Sequence, residues 1–350
     1  MTKTKSGMLV AGDFCPVNRL APLVAGGGAA DSLMNDLLPF VQEKELAIVN
    51  LECPLTNGRA LIRKTGPVLK ASPDAAQMLS EAGFGLVTLA NNHAMDYGWE
   101  GLKHTLQVCH SQGVATVGAG KNLSEARKIY YTMVDQQRVA VLNFSENEFS
   151  TTQGAEAGAN PMDLVTNYWD IQAAANQADY VFVIVHGGHE MHPLPSPRLK
   201  KTFRFYADAG ASAVFGHHPH CYGGYEVYKN KPLFYSLGNF LFDDPRHKGA
   251  LWHSGYVVEV SLKESLTYNI LPYVQCRSKM GVALMKGAEL PQFNRELRRL
   301  NTLILDDEKL EAAFDAYCRQ VGKMYTTFLE LVPKVVAGVA GTAGSTFFVE

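Results

Sequence analysis

Short runs of Val, Ile and Leu recur along the chain at 8–11, 47–51, 86–90, 139–144, 180–185 and 212–215, with little polar alternation inside them. Runs of that length and texture predict strands buried on both faces of a sheet. Between them lie helical segments: 31–45, 73–82 with Ser72 as cap, 99–112 ending at Gly113, 167–177, and 198–209 ending at Gly210. Strands alternating with helices of crossover length predict an α/β fold built on parallel strands.

After residue 220 the pattern turns β-rich. Segments 225–228 and 233–237 flank Lys229-Asn230-Lys231-Pro232, and 256–262 and 267–274 flank a second polar turn, so both pairs read as hairpins. A second sheet packed on the first, with helices outside, accommodates them. The last 60 or so residues read as helical again, over 290–300 and 307–332, the latter with apolar residues at Leu310, Ala313, Phe314, Tyr317, Val321, Tyr325, Phe328 and Leu329. A helix packed on the core is the plain reading, an oligomerisation arm the other. The Gly/Ala-rich tail near 337–344 reads as flexible.

Composition narrows the function. Of the 350 residues 47% are hydrophobic and 19% charged, which suits a soluble globular enzyme and not a disordered chain. Lys plus Arg number 32 against 34 Asp plus Glu, without a block of like charge, so nucleic acid is not the expected partner. The six cysteines are spread too widely for zinc knuckles or a tight disulfide framework, and reduced thiols in a cytoplasmic protein are expected. The first residues lack the apolar run of a signal peptide, and no stretch approaches a membrane span, so direct membrane insertion is not expected.

The chemistry concentrates where strands end. Gly12-Asp13, Asn50-Leu51-Glu52, Asn91-Asn92-His93 through Asp96, His186-Gly187-Gly188-His189-Glu190 and Gly216-His217-His218-Pro219-His220 each follow a predicted strand. Loops leaving the carboxyl ends of parallel strands converge on one crevice, so these scattered residues are expected to share a site. Six of the eleven histidines fall within 186–220. Carboxylate, amide oxygen and imidazole together suit two divalent cations such as Mn, Fe or Zn, with a shared carboxylate between them.

These motifs, with Ser236-Leu237-Gly238-Asn239-Phe240, resemble those of the bacterial capsule-synthesis proteins (CapA, poly-γ-glutamate synthesis), within the calcineurin-like metallophosphoesterase superfamily. The likeness runs in order from about residue 8 to 245. It implies a four-layer α/β/β/α metallophosphoesterase-like sandwich over 1–285 with a C-terminal helical extension over 286–350. It makes Asp13 a ligand of the first metal, Glu52 the bridging carboxylate, and Asn92 and His186 ligands of the second. His218 and His220 then occupy the His-x-His positions, one per metal. His93 would protonate or stabilise the leaving group, with Asp96 orienting it. For Glu190 a catalytic or substrate role stands even with a structural salt bridge.

Two departures stand out. Position 15 is Cys where the superfamily usually has His, and the bridging residue is Glu rather than Asp. Cys15 reads as a small buried side chain before it reads as a ligand. The loop carrying Arg127-Lys128 also differs from the capsule proteins, and a separate substrate or partner surface is expected there.

Read without the likeness, Asp13 alone would be turn chemistry; the ordered set favours metal binding. His217 reads as a hydrogen-bonding neighbour of the ligands, and His189 and His192 as surface or substrate-side residues. Arg63, Lys64 and Lys70 read as a solvated loop, or, folded over the metals, as a binding surface for a carboxylate-rich or phosphate substrate. Asn239 is a further substrate-side candidate, or a hydrogen-bond partner of a metal ligand. The expectation is a dinuclear metal-dependent hydrolase, water activated on the metals attacking a phosphoester or a γ-glutamyl-type amide. The substrate would be a small molecule, a peptide or an anionic polymer, and a homo-oligomer is left open. The alternative is a non-catalytic subunit of capsule polymer synthesis or export; the missing N-terminal anchor, often present in such proteins, favours the enzyme.

Overall fold

The computed structural model describes residues 5–339 apart from 248 and 278, with side chains described to residue 323. In chain order the main elements are β1 (Met8–Cys15), β2 (Leu46–Leu51), α1 (Asp74–Ala82), β3 (Leu86–Thr88), α2 (Gly98–Ser111), β4 (Ala115–Val117), β5 (Tyr130–Val134) and β6 (Gln137–Ser145). There follow α3 (Leu164–Ala175), β7 (Tyr180–His186), α4 (Pro197–Ala209), β8 (Ala213–His217), β9 (Tyr225–Tyr228), β10 (Lys231–Phe234) and β11 (Asn239–Phe242). The chain closes with β12 (Ser254–Ser261), β13 (Thr267–Gln275), β14 (Val282–Leu284), α5 (Glu289–Leu305) and α6 (Asp307–Val339).

Two sheets stack. One runs β14-β13-β12-β1-β2-β3-β4 with β11 also paired to β1, and the other runs β9-β10-β8-β7-β6-β5. The pairs β1–β2, β2–β3, β3–β4, β6–β7 and β7–β8 are all parallel. Because side chains alternate along a strand, β1 sends Met8 and Val10 into the core between the sheets and Leu9 and Ala11 toward the outer helices; Leu46 and Ile48 against Ala47 and Val49 repeat this in β2. Helices α1 and α2, with the segment 30–42, cover the first sheet, and α3 and α4 cover the second, giving the four layers α/β/β/α. Helix α5 buries Phe293, Leu297, Leu300 and Ile304 against the same core as the second sheet, each such burial worth roughly 1.5–3 kcal/mol.

Three expectations need correction. The helix over 31–45 is broken into Ala30–Met34, a 3-10 turn at Asn35–Leu37, and Leu38–Gln42 with Pro39 in its first turn. The break serves β14, since Asn35 Nδ2 donates to the Val282 carbonyl (2.9 Å) and Asp36 Oδ1 accepts from Leu284 N–H (2.9 Å). The second sheet is not formed by the strands after residue 220. It starts with β5, and the two hairpins divide, β9–β10 joining the second sheet and β12–β13 the first. The turn after β9 is only Lys229-Asn230, both left-handed (φ 49° and 63°), which is the two-residue geometry matched to strand twist, so Lys231 and Pro232 fall in the strand. The expected apolar positions Tyr325, Phe328 and Leu329 lie outside the residues whose side chains are described; of the Gly/Ala-rich tail, 337–339 continue α6 and 340–344 lie outside the described residues.

Candidate metal centre

Both sheets end their parallel strands at one crevice. In the first sheet Asp13 of β1 is level with Asn50 of β2 and Asn239 of β11; in the second, His217 of β8 is level with His186 of β7. Position 12 must be glycine, because a Cβ there would sit 1.9 Å from the Gly238 carbonyl oxygen; that close approach lets Asp13 N–H donate to the same oxygen at 3.0 Å and shifts the register of β1. His218 and His220 both take positive φ (95° and 55°), a conformation imposed on non-glycine residues where the surroundings over-determine it.

The six residues expected as metal ligands come together. Donor atoms of Glu52, His186 and His218 lie within 4.8 Å of one another, as do those of Asp13, Glu52 and His220, so Glu52 is common to both groups. His186 Nε2 lies 3.1 Å from Asn92 Oδ1, 3.2 Å from His218 Nδ1 and 3.5 Å from Glu52 Oε1. On the other side, His220 Nε2 is 3.6 Å from Glu52 Oε1 and its Nδ1 is 3.8 Å from Asp13 Oδ2.

The two carboxylates are treated differently. Asp13 accepts from Asn50 Nδ2 (2.8 Å) and His218 N–H (3.2 Å) and lies 2.9 Å from His217 Nδ1. Burial by itself would raise its pKa, but the surrounding imidazoles, His217 foremost through its charge and hydrogen bond, together outweigh it and hold Asp13 well below the usual carboxylate range. Both oxygens of Glu52 are buried without a hydrogen-bond partner. Burial first, then the negative charge of Asp13 and Glu190, pushes its pKa well up. A buried carboxylate with no donor is costly unless a cation meets it. Burial also lowers the pKa of His186 and His220, keeping both imidazoles neutral, as ligation requires. The donor set of carboxylate, amide and neutral imidazole therefore fits two divalent cations sharing Glu52.

Beside this cluster His93 Nδ1 lies 2.7 Å from Asp96 Oδ2, and Lys64 Nζ reaches Asp96 Oδ1 (2.5 Å) and His93 Nδ1 (3.1 Å) with its side chain 2% exposed. Asp96 also accepts from Leu69 N–H (2.7 Å), which ties the 57–70 loop to the cleft. Of Arg63, Lys64 and Lys70 only Lys64 enters. Arg63 is exposed, and Lys70 is spent on the Gly58 carbonyl (2.8 Å) and the Tyr97 ring. Glu190 is exposed at a cavity of about 350 Å³ that also meets His93 and His220.

Asn239, a substrate-side candidate by sequence, is fully buried and holds a candidate ligand: its Oδ1 is 3.0 Å from His220 Nδ1, and its Nδ2 donates to the His220 carbonyl. Cys15 packs in the core between the first sheet and its helices, its thiol pushed well up by burial and then by neighbouring Cys53, and it belongs to neither ligand group. Arg127 forks onto Asp170 (3.0 and 2.7 Å) rather than marking a free binding surface. His189 and His192 are half-buried beneath α6, His192 stacked on Tyr317 at 4.1 Å and His189 edge-on to Phe314 at 5.2 Å. Sequence reasoning assigned no role to Asn50, which contacts Asp13 and lies 3.3 Å from His186 Nδ1; its place two residues before Glu52 was the available signal. It also missed Ser150, whose hydroxyl donates to the Asn92 carbonyl (2.9 Å) from a loop with no motif to mark it.

Comparison with known proteins gives the family context. The family described as "Bacterial capsule synthesis protein PGA_cap" matches residues 7–244. The "PGA biosynthesis protein CapA" of Bacillus subtilis (strain 168) is 35% identical over 219 residues, covering 61% of this chain and 57% of that protein. The "Capsule biosynthesis protein CapA" of Bacillus anthracis is 32% identical over 248 residues, covering 68% and 60%. The chain thus spans less than two thirds of the length of these relatives. Among solved structures, a 5'-nucleotidase from Candida albicans SC5314 aligns with TM-score 0.45 at 11% identity, over 92% of this chain and 59% of that one.

Proposed function

The chain belongs to the PGA_cap family of bacterial capsule synthesis proteins, and from its cleft we propose that it is a dinuclear metal-dependent hydrolase, acting on a phosphoester or on a γ-glutamyl-type amide. The observation that carries this is Glu52: two buried carboxylate oxygens without a hydrogen-bond partner, on a residue common to two candidate ligand groups. Asn92, His186 and His218 with Glu52 would hold one cation, Asp13 and His220 with Glu52 the other. A pair of divalent cations so placed lowers the pKa of water and clamps the oxygens of a displacement. The rest is done by the chain. Asn239, Asn50 and His217 fix the orientation of the ligands. His93 faces the cavity with Nδ1 engaged by Asp96, leaving Nε2 to give a proton to the departing group. Lys64 holds Asp96 and so the ring.

The test is metal analysis of the purified protein combined with turnover of phosphomonoesters, phosphodiesters and γ-glutamyl amides. About two divalent ions per chain are expected, and His93→Ala should lower kcat by roughly 10²–10⁴-fold with metal retained. Turnover in His93→Ala equal to the native enzyme, or a protein that takes up no metal, sinks the reading. A second reading, a non-catalytic component of capsule polymer synthesis, is favoured by the relatives' names, which speak of biosynthesis and not hydrolysis. Metal uptake without turnover of any of these substrates would favour it.

A further inference from the structure

The cavity beside the cluster has further lining to which the proposed reaction gives no part. It is formed by the loop 244–247 and Trp252. Trp252 lies 5.0 Å from the His220 ring and donates its indole N–H to the Phe242 carbonyl (2.8 Å). His247 lies flat on Trp252, 4.0 Å away and within 2° of parallel, and its carbonyl sits 2.8 Å from Nε2 of buried His253. The loop is therefore held from below at two points, and it carries Arg246 outward from the metal ligands on a stack of rings.

Arg246 is set up in an unusual way. Asp244, whose side chain is 7% exposed, accepts from Arg246 Nε (3.0 Å), Nη2 (2.6 Å) and its backbone N–H (2.9 Å). That uses one edge of the guanidinium and fixes its plane. The other edge, Nη1 with the second proton of Nη2, points to none of the contacts described, and the side chain is 78% exposed. A guanidinium presents two such edges in fixed geometry, each matched to a carboxylate. The neighbouring Asp243 is occupied by Arg19 (2.9 Å) and does not compete. The remaining carboxylate of the cavity is Glu190, which is within electrostatic reach of Glu52 and His220 at the inner end.

We infer that Arg246 is a specificity residue that binds a carboxylate on the substrate, remote from the scissile group held at the metal cluster, with the His247–Trp252 stack as the wall between. The inference rests on the hydrolase reading above for which end reacts. It selects substrates carrying a second, organic anionic group over those with the reacting group alone.

Two probes that differ only in that group decide it: phenyl phosphate and 4-carboxyphenyl phosphate, with the Mn²⁺-loaded full chain, measured by turnover and by calorimetric binding. The carboxylated probe should show a KM or Kd lower by about twofold to fivefold, a modest factor because the pair is solvent-exposed. In Arg246→Ala the ratio between the probes should fall to about one, and in Arg246→Lys it should be intermediate, since an ammonium lacks the second parallel donor. Arg246 is exposed, so an unchanged melting temperature checks that the variant folds. Equal affinity of the two probes, or a preference that survives Arg246→Ala, overturns the inference and leaves the hydrolase reading intact. If neither probe turns over, the hydrolase reading is what fails for phosphoesters, and the calorimetric ratio still decides the role of Arg246.

Discussion

Two sets of histidines leave the same strand, β7, and meet opposite fates. His186 enters the cleft, where its Nε2 faces Asn92, His218 and Glu52; His189 and His192 turn beneath α6, where they face Phe314 and Tyr317. Each region contains buried polar atoms without partners: both oxygens of Glu52 in the first, His189 Nδ1 and His192 Nε2 in the second. The difference lies in what surrounds them. Carboxylate and imidazole donors converging on one point have a common solution in a cation. Imidazoles against aromatic rings have none, and they are held there by ring packing at an electrostatic cost. An unpaired buried atom thus signals a ligand only when its neighbours are donors of the same kind.

The comparison is most directly broken at Glu52. Glu52→Gln keeps the shape and removes the bridging charge, so metal uptake and turnover should both be lost. The rise in melting temperature expected of the native protein with Mn²⁺, roughly 4 °C at a hundredfold excess over Kd, should vanish with them. Without metal the same variant should be the more stable protein at neutral pH, because a carboxyl whose folded pKa is raised loses stability as pH climbs above its unfolded value. If Mn²⁺ still stabilises Glu52→Gln, the shared-carboxylate arrangement is wrong.

A smaller effect is expected at Lys64. Its ammonium and the Asp96 carboxylate are both buried, and breaking such a pair from one side costs about 3 kcal/mol or more. Lys64→Met should therefore lower denaturant stability by that amount and loosen His93, reducing kcat more than it raises KM. Arg63→Met and Lys70→Met, lying outside the cleft, should change turnover little; an equal loss in all three would mean the loop acts as a whole.

The mildest test is on the second set. Burial, then the charge of His189, lowers the His192 pKa to about 4. A histidine depressed in the folded state adds stability above its unfolded pKa, and that stability drains away as pH falls from about 6.5 toward 4. Melting curves across this window should be flatter for His192→Gln than for the native chain. A slope identical in both would show that the imidazole under Tyr317 does not govern the acid limb.

Much of the site was legible because its grammar is local. A buried strand followed by Asp, Asn or His is visible in a few residues, and parallel strands oblige those ends to share an edge of the sheet. The helix over 31–45 misled because its break answers to β14, some 250 residues later, through Asn35 and Asp36. Asn239 was ambiguous for the same reason: only the approach of β11 to β1 shows that its amide faces His220. Cys15 was readable as a packing residue, yet its neighbour Cys53 follows a different strand.

The order of strands, helices and strand-end Asp, Asn, Glu and His residues belongs to the sequence alone, since period and residue type are properties of neighbours along the chain. Which of Arg63, Lys64 and Lys70 reaches His93, which sheet each hairpin joins, and where α6 lies over His189 and His192 were decided only by the folded chain. Cations on one loop are chemically alike until a fold gives one of them a buried carboxylate to meet, and that meeting depends on contacts between segments the sequence keeps far apart.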